Sequence, residues 1–490
     1  MIRRGIMELE KLIEGLPVLS IQGELKRKIT RVVYDSRRAV PGSLFVCIDG
    51  FKTDGHKFIQ SALDNGATAL IVQKEIMKPD GVTVVRVPDT RYALAYTADA
   101  FFNHPSGDFS LIGVTGTKGK TTTAYMIKSI LEKAEQTVGI IGTVANSIGS
   151  EKIPAQRTTP ESLDLQEIFD KMKDKGADTV VMEVSSQGLK LSRVAGSEFS
   201  IGVFTNFSHD HIGGDEHPDM EDYFQSKMLL FSMAKRGLVN ADDSCANRIL
   251  ESSNCPLLTF GIQNKADIMA KRIVTHADRV EFHVETPWFS LPVEVSVPGY
   301  FSVYNALAAI GVAGMIGIDK EVIKCGLMDI HVPGRAEVVQ TPGKPWTVMI
   351  DYAHTPDSLE NILSTVKGFA PGRLIVVFGC GGDRDRTKRP EMGKVSGRIA
   401  DFSVITSDNP RTEDPAAIIE DIVEGIKQTQ GQYIIIQDRT EAIRYAMNSA
   451  QKGDVIVLAG KGHETYQIFK DRTIHYDERE IVKEILDDME

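Results

Sequence analysis

Short apolar runs alternate with amphipathic stretches along most of this chain, and their order predicts a layered α/β protein. Residues 111 to 114, 179 to 184 and 201 to 206 read as buried strands. Behind the first of them Ala124, Ile127, Ile130, Leu131 and Ala134 recur at helical spacing. Strands that alternate with helices in this way suggest a parallel sheet whose working loops lie at the strand C-termini. Ahead of this region, shorter strand-like runs at 43 to 46, 68 to 72 and 83 to 87 are separated by Pro/Gly turns, with one helix-like stretch near Ala62. Between 268 and 297 the pattern changes to period two: Val280, Phe282 and Val284, then Val293, Val295 and Val297. Antiparallel strands are expected there, followed by a helix over 305 to 315. His331-Val332-Pro333-Gly334-Arg335 looks like a linker. After it strands are expected at 347 to 350, 374 to 378, 403 to 406, 433 to 436 and 455 to 458, with helices between, and Asp438 with Glu441 forms a capping-box signal. The pattern divides the chain into three domains, 1–108, 109–335 and 336–490: a small N-terminal α/β domain, a central parallel sheet with added antiparallel strands, and a C-terminal Rossmann-like domain.

At 490 residues, 42% hydrophobic and 25% charged, the chain has the make-up of a globular protein of several domains. A net charge of −11 argues against general binding to nucleic acid or anionic membranes. No apolar run approaches the roughly 20 residues of a membrane span. Met1-Ile2-Arg3-Arg4-Gly5 has no apolar segment behind it, so a cytoplasmic protein is expected, with Met7 an alternative start. The five cysteines lack metal-site spacing, and their odd number suits a reducing compartment.

The chemistry concentrates in Thr115-Gly116-Thr117-Lys118-Gly119-Lys120-Thr121-Thr122, between a strand and a helix. Such a loop turns backbone N–H groups onto phosphate oxygens, the helix N-terminus adds partial positive charge, Lys120 adds a full one, and Thr121 can ligand Mg²⁺. The central domain is therefore P-loop ATPase-like. Its loop departs from G-x-x-x-x-G-K-[ST], because Val114 stands where the first glycine belongs. Glu183 ends an apolar strand, where nucleotide-binding sheets present a carboxylate to Mg²⁺. A polar cluster, Thr205-Asn206-Phe207-Ser208-His209-Asp210-His211, follows another strand, and Lys227 taken alone reads as a helix-surface cation. Asp210 to Gly213 and Asn264 to Asp267 fit GTPase motifs, but the first lies about ninety residues past Lys120 and the loop has the wrong length. In the third domain Arg384 interrupts a dinucleotide fingerprint. Arg384, Asp408, Arg411 and Glu464 could instead hold a zwitterionic amino acid.

Taken in order, these pieces resemble the Mur ligase family, ATP-dependent amide-forming enzymes of peptidoglycan precursor synthesis. The resemblance runs through Asp35-Ser36-Arg37, Thr115 to Thr122, Thr158-Thr159-Pro160, Glu183-Val184-Ser185-Ser186, Thr205-Asn206, Asp210-His211, Tyr223 with Lys227, Pro333-Gly334-Arg335, Asp351 to Pro356 and Asp408-Asn409-Pro410-Arg411. It implies a ligase that adds meso-2,6-diaminopimelate to UDP-N-acetylmuramoyl-L-alanyl-D-glutamate through an acyl phosphate. It also implies that Lys227 carries a CO₂-derived carbamate, against the surface-cation reading, and that Thr121, Glu183, His211 and Lys227 hold Mg²⁺. By the same resemblance Lys120, Lys227 and His211 serve catalysis. ATP would be bound by Gly116, Thr117, Lys118, Gly119, Lys120, Thr121, Thr122, Asn305, Arg335, Asp351 and His354. Ser36, Thr158, Thr159, Ser185 and Arg193 would bind the UDP-muramoyl dipeptide. Arg384, Asp408, Asn409, Pro410, Arg411, Gly460 and Glu464 would bind diaminopimelate. A monomer acting on small molecules is implied, with no nucleic acid and no membrane insertion. Two departures stand out: the loop from His211 to Met220 is longer than the family form, leaving His217 without a role, and Gln187 replaces a frequent histidine. Lysine-adding ligases and folylpolyglutamate synthase are the alternatives within the superfamily, and a GTPase-like switch is the alternative outside it.

Overall fold

The computed structural model describes residues 6–50, 53–153, 157–210, 212–213, 216–276 and 278–489. Its chain forms two compact units, one of residues 1–269 with 308–322 and one of 270–307 with 323–490.

In the first unit, β1 (Ser20–Gln22), β2 (Arg31–Val33), β3 (Ser43–Val46), β4 (Ala67–Val72) and β5 (Thr83–Arg86) form a sheet in the order β1-β5-β4-β3-β2. Only β1 runs antiparallel to its neighbour. Helix α1 (Thr90–Phe101), capped by Asp89 through the N–H groups of Arg91 and Tyr92, covers this sheet. The periodicity did not reveal it. Its buried residues include Thr90, Thr97 and Asp99 beside Ala93, Leu94, Ala95 and Ala98, so no clean apolar stripe exists to be seen.

The larger sheet of this unit contains β6 (Ser110–Thr115), β7 (Val138–Ile141), β8 (Asn146–Ile148), β9 (Glu151–Ile153), β10 (Thr179–Glu183), β11 (Ile201–Phe204), β12 (Gly237–Asn240), β13 (Leu257–Gly261) and the start of β14 (Ile268–Thr275). Their order is β9-β8-β7-β10-β6-β11-β12-β13-β14. All pairs are parallel except β8 with β7 and with β9. Helix α2 (Lys120–Lys133) follows β6, α3 (Ser162–Asp174) precedes β10, α4 (Ser186–Lys190) follows it, and α5 (Met220–Met233) precedes β12. The central strands are apolar without alternation because both faces are covered, as parallel sheets require. Gly113 is a packing residue of β6: a Cβ there would lie 2.7 Å from the Phe199 ring and 2.9 Å from Leu230.

In the second unit, β15 (Val280–Glu285) and β16 (Ser290–Val295) make the antiparallel pair that the period-two pattern predicts. The C-terminal sheet has the order β17-β18-β22-β19-β20-β21, built from β17 (Glu337–Val339), β18 (Thr347–Asp351), β19 (Leu374–Phe378), β20 (Phe402–Ile405), β21 (Tyr433–Ile435) and β22 (Val455–Ala459). Only β17 is antiparallel to its neighbour. Helices α6 (Pro356–Lys367), α7 (Lys388–Ile399), α8 (Pro415–Ile426), α9 (Arg439–Ser449) and α10 (Glu478–Asp488) complete it. Asp438 caps α9 by accepting from Glu441 N at 3.0 Å, the half of the capping box that the structure displays. Working loops therefore leave the C-terminal ends of β18, β19, β20 and β22 on one edge, where open parallel sheets bind ligands.

Candidate active site

Register brings the first cluster together. Glu183, last in β10, lies opposite Val114, and Phe204, last in β11, opposite Thr115, so both strand ends flank the glycine loop. Gly116 and Gly119 take φ of 140° and 85°, which turn the loop back onto itself before α2 begins at Lys120. Asn206 grips that loop on three sides: its Oδ1 accepts from Lys118 N at 2.8 Å, its Nδ2 donates to Lys118 O at 2.9 Å, and its O accepts from Thr117 N at 2.8 Å. Thr205 Oγ1 donates to Lys118 O at 2.6 Å, and Tyr223 OH to Thr117 Oγ1 at 3.2 Å. The loop is thus held from β11 and α5, not by its own sequence alone.

Glu183 is 2% exposed and accepts from Thr121 Oγ1 at 2.9 Å, Thr143 N at 2.8 Å and Thr143 Oγ1 at 3.2 Å. Thr121 and Glu183, the sequence-predicted metal pair, are therefore adjacent. Thr143 escaped the sequence reading; it joins this carboxylate to Thr158, whose Oγ1 lies 2.9 Å from that of Thr143.

Lys227 overturns the surface-cation reading. It is 1% exposed on α5, its Nζ donates to Gly116 O at 2.9 Å, and it sits 4.4 Å over the Tyr223 ring. Lys120 Nζ donates to that same carbonyl at 2.9 Å. Burial, and after it the neighbouring Lys120 charge, drive the Lys227 ammonium well below its ordinary range. Among the described residues Lys227 makes no ion pair within 4.0 Å, and the Asp210 charge opposes the shift more weakly. His211 lies outside the described residues.

A second cluster surrounds the turn after β10. Thr159 Oγ1 donates to Glu183 O at 3.1 Å and accepts from Ser185 N at 2.9 Å. Arg193 donates Nη1 to Thr159 O at 3.3 Å and Nε to Glu161 Oε1 at 2.9 Å. Thr158, Thr159, Ser185 and Arg193 are accordingly neighbours. Ser36 is not among them. It is buried beside Ser61 of the helix Ile59–Asp64 and Asn65 at that helix's C-terminus, with Asn65 Nδ2 donating to its carbonyl at 3.0 Å. His217, to which the sequence gave no role, is buried with Nδ1 2.6 Å from Asp222 Oδ2 and Nε2 2.9 Å from Ser186 Oγ. It steadies the Ser185-Ser186 turn. The spacing of Ser186, His217 and Asp222 carries no signal of this.

In the second unit, Asp351 Oδ1 accepts from Ala353 N and Oδ2 from Ala336 N, both at 2.8 Å. Burial pushes this carboxyl up while the Arg335 charge opposes the shift. Arg335 lies 5.0 Å over the Tyr352 ring, His354 Nδ1 sits 2.8 Å from Tyr352 O, and the His463 ring is 4.8 Å from that of Tyr352. His463 is held down to about 4 by burial and by Arg335 and Arg479, which keeps its imidazole neutral at physiological pH. Asn305 lies on the helix Tyr300–Met315 and is 5% exposed.

The loops after β20 and β22 meet. Asn409 Nδ2 donates to Glu464 Oε2 at 2.8 Å, Asn409 Oδ1 accepts from Ile468 N at 3.0 Å, and Asp408 O accepts from Gln467 Nε2 at 2.7 Å. Gly460 passes so close to Asp408 that an added Cβ would lie 2.8 Å from Oδ2. Arg384 and Arg411 both pass beside Gly381, and Pro410 packs its carbonyl against Gly382. Lys461, fully buried between Glu464 at 3.2 Å and Asn409 at 3.3 Å, is a further member the sequence reading left out.

The Asn264 to Asp267 motif is spent on contacts among neighbouring strand ends, while the Asp210 to Gly213 motif includes a residue outside those described. Asn264 N donates to Asp242 Oδ1 at 2.6 Å, and Asp267 Oδ2 accepts from Thr259 N at 2.8 Å. Among the described residues no helix is long and apolar enough to cross a membrane.

Three family models match the chain: "Mur ligase family, catalytic domain" over residues 28–102, "Mur ligase middle domain" over 114–313, and "Mur ligase, glutamate ligase domain" over 334–462. A relative from Caldanaerobacter subterraneus subsp. tengcongensis, named UDP-N-acetylmuramoyl-L-alanyl-D-glutamate--2,6-diaminopimelate ligase, is 50% identical and spans 99% of this chain and 100% of its own. One of the same name from Alkaliphilus metalliredigens is 49% identical over 98% of this chain and 97% of its own. A solved structure under that enzyme name superposes with a TM-score of 0.73 at 30% identity, covering 99% of each chain.

Proposed function

The chain belongs to the Mur ligase family, and on that premise we propose that it is the ATP-dependent ligase joining 2,6-diaminopimelate to UDP-N-acetylmuramoyl-L-alanyl-D-glutamate in peptidoglycan precursor synthesis. The observation that carries the reaction is the 50% identity across 99% of the chain with a relative of that name. Folylpolyglutamate synthase and a GTPase-like switch have no comparable support.

A free carboxylate has no viable leaving group. The D-glutamyl γ-carboxylate therefore takes the γ-phosphoryl of ATP, giving ADP and an acyl phosphate; the diaminopimelate amine then attacks the acyl carbon, and phosphate and a proton depart. Backbone N–H groups from Gly116 to Thr122 and the Lys120 ammonium bind and neutralise the phosphates. Asn305, Arg335, Asp351 and His354 complete the nucleotide set. Ser36 holds the UDP portion, while Thr158, Thr159, Ser185 and Arg193 hold the muramoyl dipeptide. Arg384, Asp408, Asn409, Pro410, Arg411, Gly460 and Glu464 take the amino acid. Arg411 supplies a planar fork for the carboxylate that lysine lacks.

The donor set suits Mg²⁺. Glu183 and the Thr121 hydroxyl stand together, 2.9 Å apart. Lys227 suits a carbamate: a buried amine whose hold on its proton is weakened can attack CO₂ in its neutral form, releasing one proton and leaving a bidentate oxygen ligand. Glu183, Thr121, the Lys227 carbamate and His211 would hold the metal, which supplies charge neutralisation for the phosphates and the attacking carboxylate. The proposal also takes the domains as 1–108, 109–335 and 336–490, and the enzyme as a cytoplasmic monomer without membrane insertion. Five free cysteines fit a reducing compartment.

The test is ADP release with ATP, the UDP-muramoyl dipeptide and each candidate amino acid. Turnover should require both the dipeptide and diaminopimelate. Release without them, or equal use of lysine, would overturn the assignment.

A further inference from the structure

Arg389 on α7 is fully buried. Its guanidinium donates through Nη2 to Glu413 Oε1 at 2.8 Å and Gly381 O at 3.4 Å, and through Nη1 to Glu413 Oε2 at 3.0 Å and Asp421 Oδ2 at 2.8 Å. Glu413 Oε1 also accepts from Asp383 N at 2.6 Å, and Asp383 Oδ1 accepts from Thr412 Oγ1 at 2.6 Å. Gly382 N donates to Asn409 O at 2.9 Å, and Arg411 Nη1 to Gly382 O at 2.7 Å. The loop after β19 and the loop after β20 are thus stitched into one body, with Arg411 fastened along the seam.

The stitching holds an unfavourable backbone. Asp383 and Arg411 both adopt left-handed φ, 54° and 51°, a region that residues with a Cβ avoid because Cβ crowds the neighbouring carbonyl. Gly382 cannot carry a side chain, since a Cβ would run into Pro410 O. Only one nitrogen of the Arg411 fork, Nη1, is engaged by Gly382; Nε and Nη2 make no hydrogen bond among the described residues. One end of the fork is fixed and the other presented.

We propose that Glu413 and Arg389 are positioning residues for amino-acid selectivity: their bidentate pair locks the two loops together and so aims the Arg411 fork at a second carboxylate. This rests on the reading of these loops as the diaminopimelate site. An unfastened arginine still attracts a carboxylate, but a displacement of about 1 Å can cost up to a hundredfold.

Full-length Glu413→Gln and Arg389→Lys, assayed with diaminopimelate and with lysine, should raise the diaminopimelate KM about tenfold. Both should keep kcat and the ATP KM within about twofold and narrow the preference over lysine by about tenfold. Asp421→Asn, which removes a partner of Arg389 on α8 that reaches the loop after β19 only through Arg386 and so does not join the two loops, should lower the melting temperature without moving that KM. If Glu413→Gln and Asp421→Asn reduce stability alike and neither moves the diaminopimelate KM, the pair is structural only and the inference is overturned. If Glu413→Gln does not fold, Thr412→Val, which cuts only the tie to Asp383, decides between the two; an unchanged KM and preference there overturns the inference as well. Failure of the underlying reading shows separately, because the unaltered enzyme would then not favour diaminopimelate at all, and the inference falls with it.

Discussion

Lys227 in the first unit and Lys461 in the second are buried to almost the same degree, 1% and 0% exposed, and their surroundings treat them in opposite ways. Lys461 lies between the Glu464 carboxylate and the Asn409 amide oxygen, so its charge is answered and its position fixed. Lys227 meets a backbone carbonyl and an aromatic face, with Lys120 on the same carbonyl. Burying an ammonium without a hydrogen-bonded counter-charge is strongly unfavourable, and the group responds by holding its proton less tightly, a shift that the pull of the Asp210 carboxylate only partly offsets. A buried lysine is therefore a structural cation or a reactive amine according to whether an acid is hydrogen-bonded to it.

The contrast is broken most severely at Lys227. Replacing it with Met, which fills similar space without an amine, should lower kcat by about a thousandfold or more through loss of transition-state charge stabilisation. Its thermal melt should not fall. A melt that drops along with activity would mean that Lys227 is a structural residue after all.

Lys461→Met is the converse experiment. It strands Glu464 and should cost about 3 kcal/mol in denaturant unfolding, as breaking a buried pair does. Loss of activity with unchanged stability would assign Lys461 to chemistry instead. Arg411→Ala, next in size, should raise the diaminopimelate KM by about ten- to a hundredfold while ATP binding, followed by calorimetry, stays unchanged.

The smallest effect is in pH. Because the folded state holds Lys227 below its ordinary 10.5, the folded protein binds fewer protons there than the unfolded chain. The associated stability is complete above pH 10.5 and is lost as pH falls toward the lowered folded value. In CO₂-free buffer the stability advantage of Lys227→Met over the unaltered chain should be clear at neutral pH and shrink as pH approaches 10.5. A difference independent of pH would show that Lys227 stays charged.

Legibility in the sequence followed the range of the interactions. Strands β6, β10, β11, β19 and β22 were visible because an unbroken apolar run between polar turns is a local signal. Strands β8 and β9 were not, being three residues each with little apolar content. The glycine loop, Glu183 and the Asp408 to Arg411 motif could be found because each is contiguous or ends a strand. Thr143 and the Arg389–Glu413 pair could not, since their partners lie elsewhere in the chain; His217 and Lys461 have acids within five residues, Asp222 and Glu464, but such spacing is common and marks nothing until burial is known.

By itself the sequence determined the apolar central strands of the parallel sheets, that a phosphate-binding loop opens α2, and that two arginines stand near an acidic motif; these follow from periodicity and from backbone geometry within a few residues. The tertiary structure alone decided which charged groups lose water and which keep a partner. Desolvation is a property of everything packed around a side chain, and around Lys227 that means a loop some hundred residues earlier, whose Gly116 carbonyl it reaches at 2.9 Å.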